Sequence, residues 1–209
     1  MLVIGIAGGT GCGKTTVVNR IIDSLPAGSV AVLSQDSYYR DRSDIPLEER
    51  KHLNFDHPDA IEFELLAQDI IALKEGHSIE QPTYSYITCT RGEETIKVEP
   101  RKVIIVEGIL VLHSPVLKSL LDIKIYVDTD DDDRLCRVIR RDIIERGRTA
   151  TDVLERYEHT VKPMHREFIE PSRRNADIIV PKYGDAAVAI NILLTVIEKK
   201  IGNESSTRF

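Results

Sequence analysis

The chain alternates between short, nearly continuous apolar runs and longer segments in which apolar residues recur every three or four positions. Runs rich in β-branched residues occupy Leu2–Ala7, Val30–Ser34, Lys102–Val106, Ile123–Val127 and Asp177–Val180, each of strand length. Helical periodicity fills Lys14–Leu25, Ala60–Glu75, Asp131–Glu145, Thr151–Phe168 and Asp185–Lys200. Apolar strands separated by helices predict a central parallel sheet covered on both faces, a three-layer α/β/α fold. One stretch breaks the rhythm. Ser78–Tyr86 and Glu94–Val98 alternate in residue type around the polar Thr88–Glu93, which predicts a β-hairpin inserted over residues 78–98. No internal repeat is present, so one domain is expected over residues 1–209, with a tail at 202–209 that frays.

Composition narrows the classes. A chain of 209 residues, 42% apolar and 30% charged, suits a soluble globular protein able to bury a full core. A net charge of −6 argues against wholesale binding to nucleic acid. No apolar run approaches the roughly 20 residues that span a bilayer, and the first residues lack the basic segment of a signal peptide. Cys12, Cys89 and Cys136 are far apart and the histidines show no metal-ligand spacing, so free thiols in a reducing cytoplasm are expected.

The glycine-rich stretch Gly8–Thr15 reads GGTGCGKT, between the first strand and the first helix. It fits G-x-x-x-x-G-K-[ST], the P-loop. Backbone N–H groups from Gly8, Gly9, Thr10, Gly11, Cys12 and Gly13 can turn into one concavity, a nest for anionic oxygens. The helix entered through Lys14, Thr15 and Thr16 adds the positive end of its dipole. Lys14 supplies a mobile charge for the β- and γ-phosphates of ATP or GTP, and Thr15 a hydroxyl for Mg²⁺. Cys12 contributes its amide, and a bound nucleotide is expected to shield its thiol from alkylation.

A phosphate cradle leaves three classes open: a small-molecule kinase, a GTP switch, and a motor or transporter subunit. No glycine has an aspartate three residues before it, the guanine-reading N-K-x-D is absent, and no transporter signature is present. A kinase remains as the leading reading, with a regulatory ATP-binding module as the alternative. A kinase must position an acceptor hydroxyl, take its proton and neutralise the moving phosphoryl group. Asp36 follows the second strand, at the sheet edge where such sites lie. It is the candidate general base and a water-mediated Mg²⁺ contact, or else a turn cap. Glu107 ends the third apolar strand, where a Mg²⁺-holding acid is expected, or where an acid simply ends a strand.

Helical spacing puts Arg134, Arg137 and Arg141 on one face and Leu135, Val138, Ile139 and Ile143 on the other, predicting one cationic and one packed stripe. Arg141, Arg146 and Arg148 could form a lid over the phosphates within residues 140–160, with Gly147 for the bend, or lie solvated. Tyr39, Phe55, Asp56, Tyr84, Tyr86 and Cys89 are the candidates for an acceptor pocket. Aromatic rings stack on a flat base and a carboxylate accepts from a ribose diol, although each residue alone is ordinary core or turn.

Together GIAGGTGCGKTT, LSQDSYY, NFDHPDAIEF, PTYSY, VIIVEGIL, RDIIERGR and KPMHREFIEPS resemble the uridine/cytidine kinase family of P-loop nucleoside kinases, over nearly the whole chain. The resemblance implies phosphorylation of the 5′-hydroxyl of uridine and cytidine by ATP or GTP with Mg²⁺, in pyrimidine salvage. It implies Asp36 as base, Asp56 on the ribose hydroxyls, and Tyr39, Phe55, Tyr84, Tyr86, Cys89, Arg137 and Arg148 around the nucleoside. It puts Arg141, Arg146 and Arg148 near the phosphates, Asp185 beside the adenine, and the chain in a homotetramer. Phosphorylation of a sugar phosphate such as a ribulose phosphate is the alternative within related kinases. The chain departs from the family pattern at Cys89, Val138 and Arg156, where a histidine, an arginine and a glutamine are common.

Overall fold

The computed structural model describes residues 1–181 and 186–206. Strand β1 (Leu2–Ala7) lies in the middle of a five-stranded sheet with β2 (Val30–Ser34), β5 (Val103–Glu107), β6 (Ile123–Asp128) and β7 (Ile178–Pro181). The order is β2-β5-β1-β6-β7 and every pairing is parallel. The hairpin β3 (Ile79–Ser85) and β4 (Thr90–Val98) forms a separate antiparallel pair. Its second strand is longer than the residue alternation predicts, because it begins at Thr90, inside the stretch read as the connection, while its first is one residue shorter at each end.

The helices are α1 (Lys14–Ser24), α2 (Leu47–Arg50), α3 (Phe63–Lys74), α4 (Pro115–Leu120), α5 (Asp131–Arg146), α6 (Ala150–Arg156), α7 (Lys162–Met164), α8 (Glu170–Ser172) and α9 (Ala186–Ser206). Successive residues of the central strands face opposite sides. Val3, Ile104 and Val106 join Leu66, Ile70 and Leu73 of α3 and Leu117 of α4 in one core layer. Leu2, Ile4, Ile6 and Ile105 join Val17, Val18 and Ile21 of α1 and Ile190, Leu193 and Ile197 of α9 in the other. This is the three-layer arrangement that the apolar pattern predicts.

Four boundaries differ from the periodicity. Helix α3 starts at Phe63, since Pro58–Ala60 form a 3-10 turn and Ile61 bridges to Tyr39. The segment expected as one helix over 151–168 runs from Ala150 to Ser172 through two wide π turns, Tyr157–Val161 and His165–Ile169. Each wide turn precedes a proline, Pro163 or Pro171, which has no N–H to return to the preceding turn. Helix α9 continues to Ser206, so most of the stretch expected to fray is helical. Short helices α2 and α4 lie in segments too brief for periodicity to register.

The largest departure is in α5. Its buried stripe is Arg134, Val138 and Asp142, while Ile143 is exposed. The apolar stripe predicted to pack is therefore largely replaced by a charged one, which turns toward the P-loop. Helix α5 ends at Gly147, whose φ of 65° is the left-handed conformation that closes a helix. A reciprocal Thr149–Asp152 capping box then starts α6.

Position 108 tests how β2 and β5 meet. A Cβ on Gly108 would stand 2.3 Å from the Cβ and 2.6 Å from the Oε1 of Gln35. Gln35 is fully buried, and its Oε1 accepts from the Leu110 N–H at 2.8 Å. Gly108→Ala should cost about 2 kcal/mol through overpacking, a melting-point loss of roughly 4–8 °C for a chain of this size. Calorimetry reads this directly, and an unchanged melting point would mean that Gln35 is free to move.

Candidate active site

The loop between β1 and α1 is the P-loop, and its shape follows from glycine. At Gly11 φ is 76°, and a Cβ would meet the Arg134 carbonyl oxygen at 2.7 Å. Helix α5 is thus pressed against the loop, and only glycine fits. Gly13, also left-handed, caps α1 and its carbonyl accepts from the Thr16 and Val17 N–H groups. Arg134, 2% exposed, reaches the Thr10 carbonyl at 3.4 Å and pairs with Asp131. Arg137 Nη1 donates to the carbonyls of Gly11 (3.1 Å) and Cys12 (3.2 Å). Two arginines of α5 therefore hold carbonyls of the loop, while the Cys12 N–H, expected in the nest, donates to the Gly9 carbonyl at 3.1 Å. Arg137, expected around the nucleoside, makes these contacts from the wall of the cleft itself.

Lys14 folds back over the loop, its Nζ donating to the carbonyls of Gly8 (3.0 Å) and Gly9 (3.4 Å). Thr15 lines the cleft, whereas Thr16 lies one position along α1 and does not. Cys12 is buried in the core layer beneath the loop. Its thiol is already shielded, so the expected protection by nucleotide loses its basis. Asp185 lies outside the described residues.

A cleft of about 330 Å³ opens beside this loop. Lys14, Thr15, Asp36, Glu107, Arg137, Arg141 and Arg146 line it, with Tyr86 from the hairpin. Asp36 arrives on the 3-10 turn Gln35–Tyr38 that follows β2, and Glu107 ends the neighbouring β5. Parallel register sets Glu107 level with Ser34 and with Ile6, one residue before the loop's strand ends. The Ser34 hydroxyl donates to Glu107 Oε1 at 2.8 Å. Burial raises the Glu107 pKa and Asp36 adds to it, against the opposing pull of Lys14 and Ser34. A buried carboxylate held high in this way is improved by a cation.

The aromatic candidates also converge. The Tyr39 ring centroid is 5.4 Å from Phe55 and 4.8 Å from Tyr84, and Tyr84 is 5.4 Å from Tyr86. Beside them Asp56, 3% exposed, accepts from Arg156 Nη2 at 2.7 Å. The turn that could have used Asp56 is capped by Asn54 Oδ1, which takes the Asp56 N–H at 3.1 Å. Cys89 sits at the hairpin tip with φ of 50°, the sole positive value at a non-glycine among the described residues. Its Sγ is 3.6 Å from the Tyr86 carbonyl, so the thiol serves the turn.

The Phosphoribulokinase / Uridine kinase family profile matches residues 3–189. The chain belongs to that family. It is 52% identical over 196 residues to the uridine kinase of Ligilactobacillus salivarius (strain UCC118), covering 94% of this chain and 92% of the relative. It is 50% identical over 202 residues to that of Staphylococcus carnosus (strain TM300), covering 97% of each. In solved structures it resembles a Silicibacter sp. TM1040 protein assigned as a fructose transport system kinase, with TM-score 0.72, 24% identity, and coverage of 85% and 88% of the two chains. At that identity the likeness concerns the fold alone.

In this phosphoribulokinase/uridine kinase family member the arginines expected to form a lid share one anchor. The Asp142 side chain is fully buried and sits 2.7 Å from Arg141, 3.6 Å from Arg146, 2.8 Å from Arg148 and 3.8 Å from Arg156. Arg156 in turn reaches Asp56, so one chain of ion pairs joins these arginines to the aromatic group. Arg148 is held on Asp142 and, unlike Arg141 and Arg146, does not line the cleft. Motif spacing points to the arginines but not to Asp142, because an aspartate inside a helix carries no sign of its burial.

Burial alone would raise the Asp142 pKa, and the combined pull of Arg141, Arg146 and Arg148 outweighs it, holding the pKa below the ordinary carboxylate value. A depressed folded-state pKa contributes stability above the unfolded value, near pH ~3.9, and loses it as pH falls further. Asp142→Asn should therefore cost about 3 kcal/mol at pH 7, and that difference should close once the pH drops below the ordinary carboxylate range. Urea titrations from pH 7 to pH 3 measure it. A difference independent of pH would show that the charge is not what counts.

Proposed function

We propose that the chain is a uridine kinase, transferring the terminal phosphoryl group of ATP or GTP to the 5′-hydroxyl of uridine and of cytidine to give UMP and CMP. One observation carries the reading: Asp36 lines the same cleft as Lys14 and the loop's amide nest, so one cleft serves proton acceptance and phosphate binding. The names of the curated relatives and the aromatic group of Tyr39, Phe55 and Tyr84 favour a nucleoside over a bare sugar phosphate.

The Asp36 carboxylate accepts the proton of the attacking 5′-hydroxyl. The loop amides, Lys14, Arg141 and Arg146 hold the phosphate oxygens as charge spreads over them. Asp56, aimed by Arg156, accepts from the ribose hydroxyls with the carboxylate oxygen that Arg156 leaves open. The Thr15 hydroxyl and the Glu107 carboxylate, both on the cleft wall, would hold Mg²⁺, which would supply positive charge to neutralise the phosphate oxygens. Pyrimidine salvage in the cytoplasm and assembly into a homotetramer belong to the same reading. Among the described residues no helix is long and apolar enough to cross a membrane.

A panel of uridine, cytidine, adenosine and ribulose 5-phosphate with ATP–Mg²⁺, read as ADP formed, tests this. Turnover should require uridine or cytidine, and dependence on ribulose 5-phosphate alone would overturn the reading. Asp36→Asn should bind nucleotide within about threefold of the unaltered protein while losing on the order of 10²–10⁴ in turnover. Near-normal turnover would remove Asp36 from the base position.

A further inference from the structure

Tyr86 sits at the end of β3 where the hairpin turns over the cleft, and its hydroxyl donates to Asp36 Oδ2 at 2.6 Å. That is the distance and polarity expected of an acceptor alcohol facing its general base. From the other side of the cleft Arg146 lies over the Tyr86 ring, 4.2 Å from its centroid. The contact therefore joins three separate parts: the hairpin, the turn after β2 and the end of α5. Nothing in the phosphoryl-transfer scheme above needs it, since Asp36 acts there on the nucleoside hydroxyl alone.

We infer that Tyr86 is a stand-in for the acceptor: its hydroxyl occupies the place of the 5′-hydroxyl against Asp36 and keeps water off that carboxylate until a nucleoside displaces it. The inference rests on Asp36 being the general base. Every kinase of this kind faces the same competition, because water can attack wherever an alcohol can. In that side reaction the water oxygen would bond to the terminal phosphorus, the bond from phosphorus to the bridging oxygen of ADP would break, and a water proton would pass to Asp36. A phenol cannot itself become the acceptor cheaply here. Burial and the Asp36 charge hold its pKa well above the ordinary tyrosine value, so it stays protonated and acts as a donor. The ring under Arg146 also gives that arginine a resting contact until an acceptor arrives, through the attraction of a cation to an aromatic face. A nucleoside that displaces the phenol thereby releases Arg146 toward the phosphates.

Tyr86→Phe tests this with little disturbance, because it keeps the ring beneath Arg146 and removes only the hydroxyl. The gap left against Asp36 is about the size of one water. The rate of ADP formation from ATP–Mg²⁺ with no acceptor should rise about tenfold, and Asp36→Asn in the same chain should abolish the rise. An unchanged acceptor-free rate would overturn the inference, and so would a rise that persists in the double variant. The assay uses ATP alone, so it is independent of which acceptor the protein takes. If uridine failed to support turnover in the unaltered protein, the kinase reading would fall while the acceptor-free rates still decided the role of Tyr86.

Discussion

Positive charge crowded against positive charge is the constraint around which this molecule is arranged. The P-loop gathers N–H dipoles and a helix terminus toward one point, and α5 brings a row of guanidinium groups to the same place. Left alone, these groups would repel one another in the absence of a phosphate. Asp142, fully buried, supplies the counter-charge for Arg141, Arg146, Arg148 and Arg156 at once. Arg134 and Arg137 find theirs in the carbonyls of the loop. The arginines proposed to hold the phosphate oxygens are thus fixed by protein groups, which leaves little reorganisation for phosphate binding under that proposal.

The same arrangement explains why α5 turns an unexpected face inward. A helix normally buries its apolar stripe because that removes the most apolar surface from water. Here burying Arg134 and Asp142 is tolerated because each is fully partnered, and the sheet's two apolar layers already supply the core. Ile143 and Ile144 are left outside as a consequence. Buried ion pairs of this kind are weak as net stabilisers and strong as constraints on geometry. In a site that must aim several cations at one group, the constraint is the useful part.

Three departures from the family pattern also take on physical meaning. Val138 packs against Gly11, where a Cβ on the glycine would touch it at 3.0 Å, so the side chain serves the close approach of helix and loop. Arg156 ties the Asp56 carboxylate to Asp142 and links the two halves of the site. Cys89 turns its thiol back onto the hairpin backbone.

Local chemistry was readable in the chain itself. Continuous apolar runs marked the central strands and period-3.6 patterns most of the helices, because burial acts on each element through its own residues. The P-loop was readable because a nest of backbone amides needs glycine at fixed spacing, and Asp36 and Glu107 because they end strands that a parallel sheet brings level. What the chain could not disclose was pairing across long separations. Asp142 as an anchor, Arg156 beside Asp56 100 positions away, and the Tyr86 hydroxyl against Asp36 each depend on where two or three elements meet. A side chain's charge is written in the sequence. Its partner, its burial and hence the energy of that charge are decided only when the tertiary structure removes the water between them.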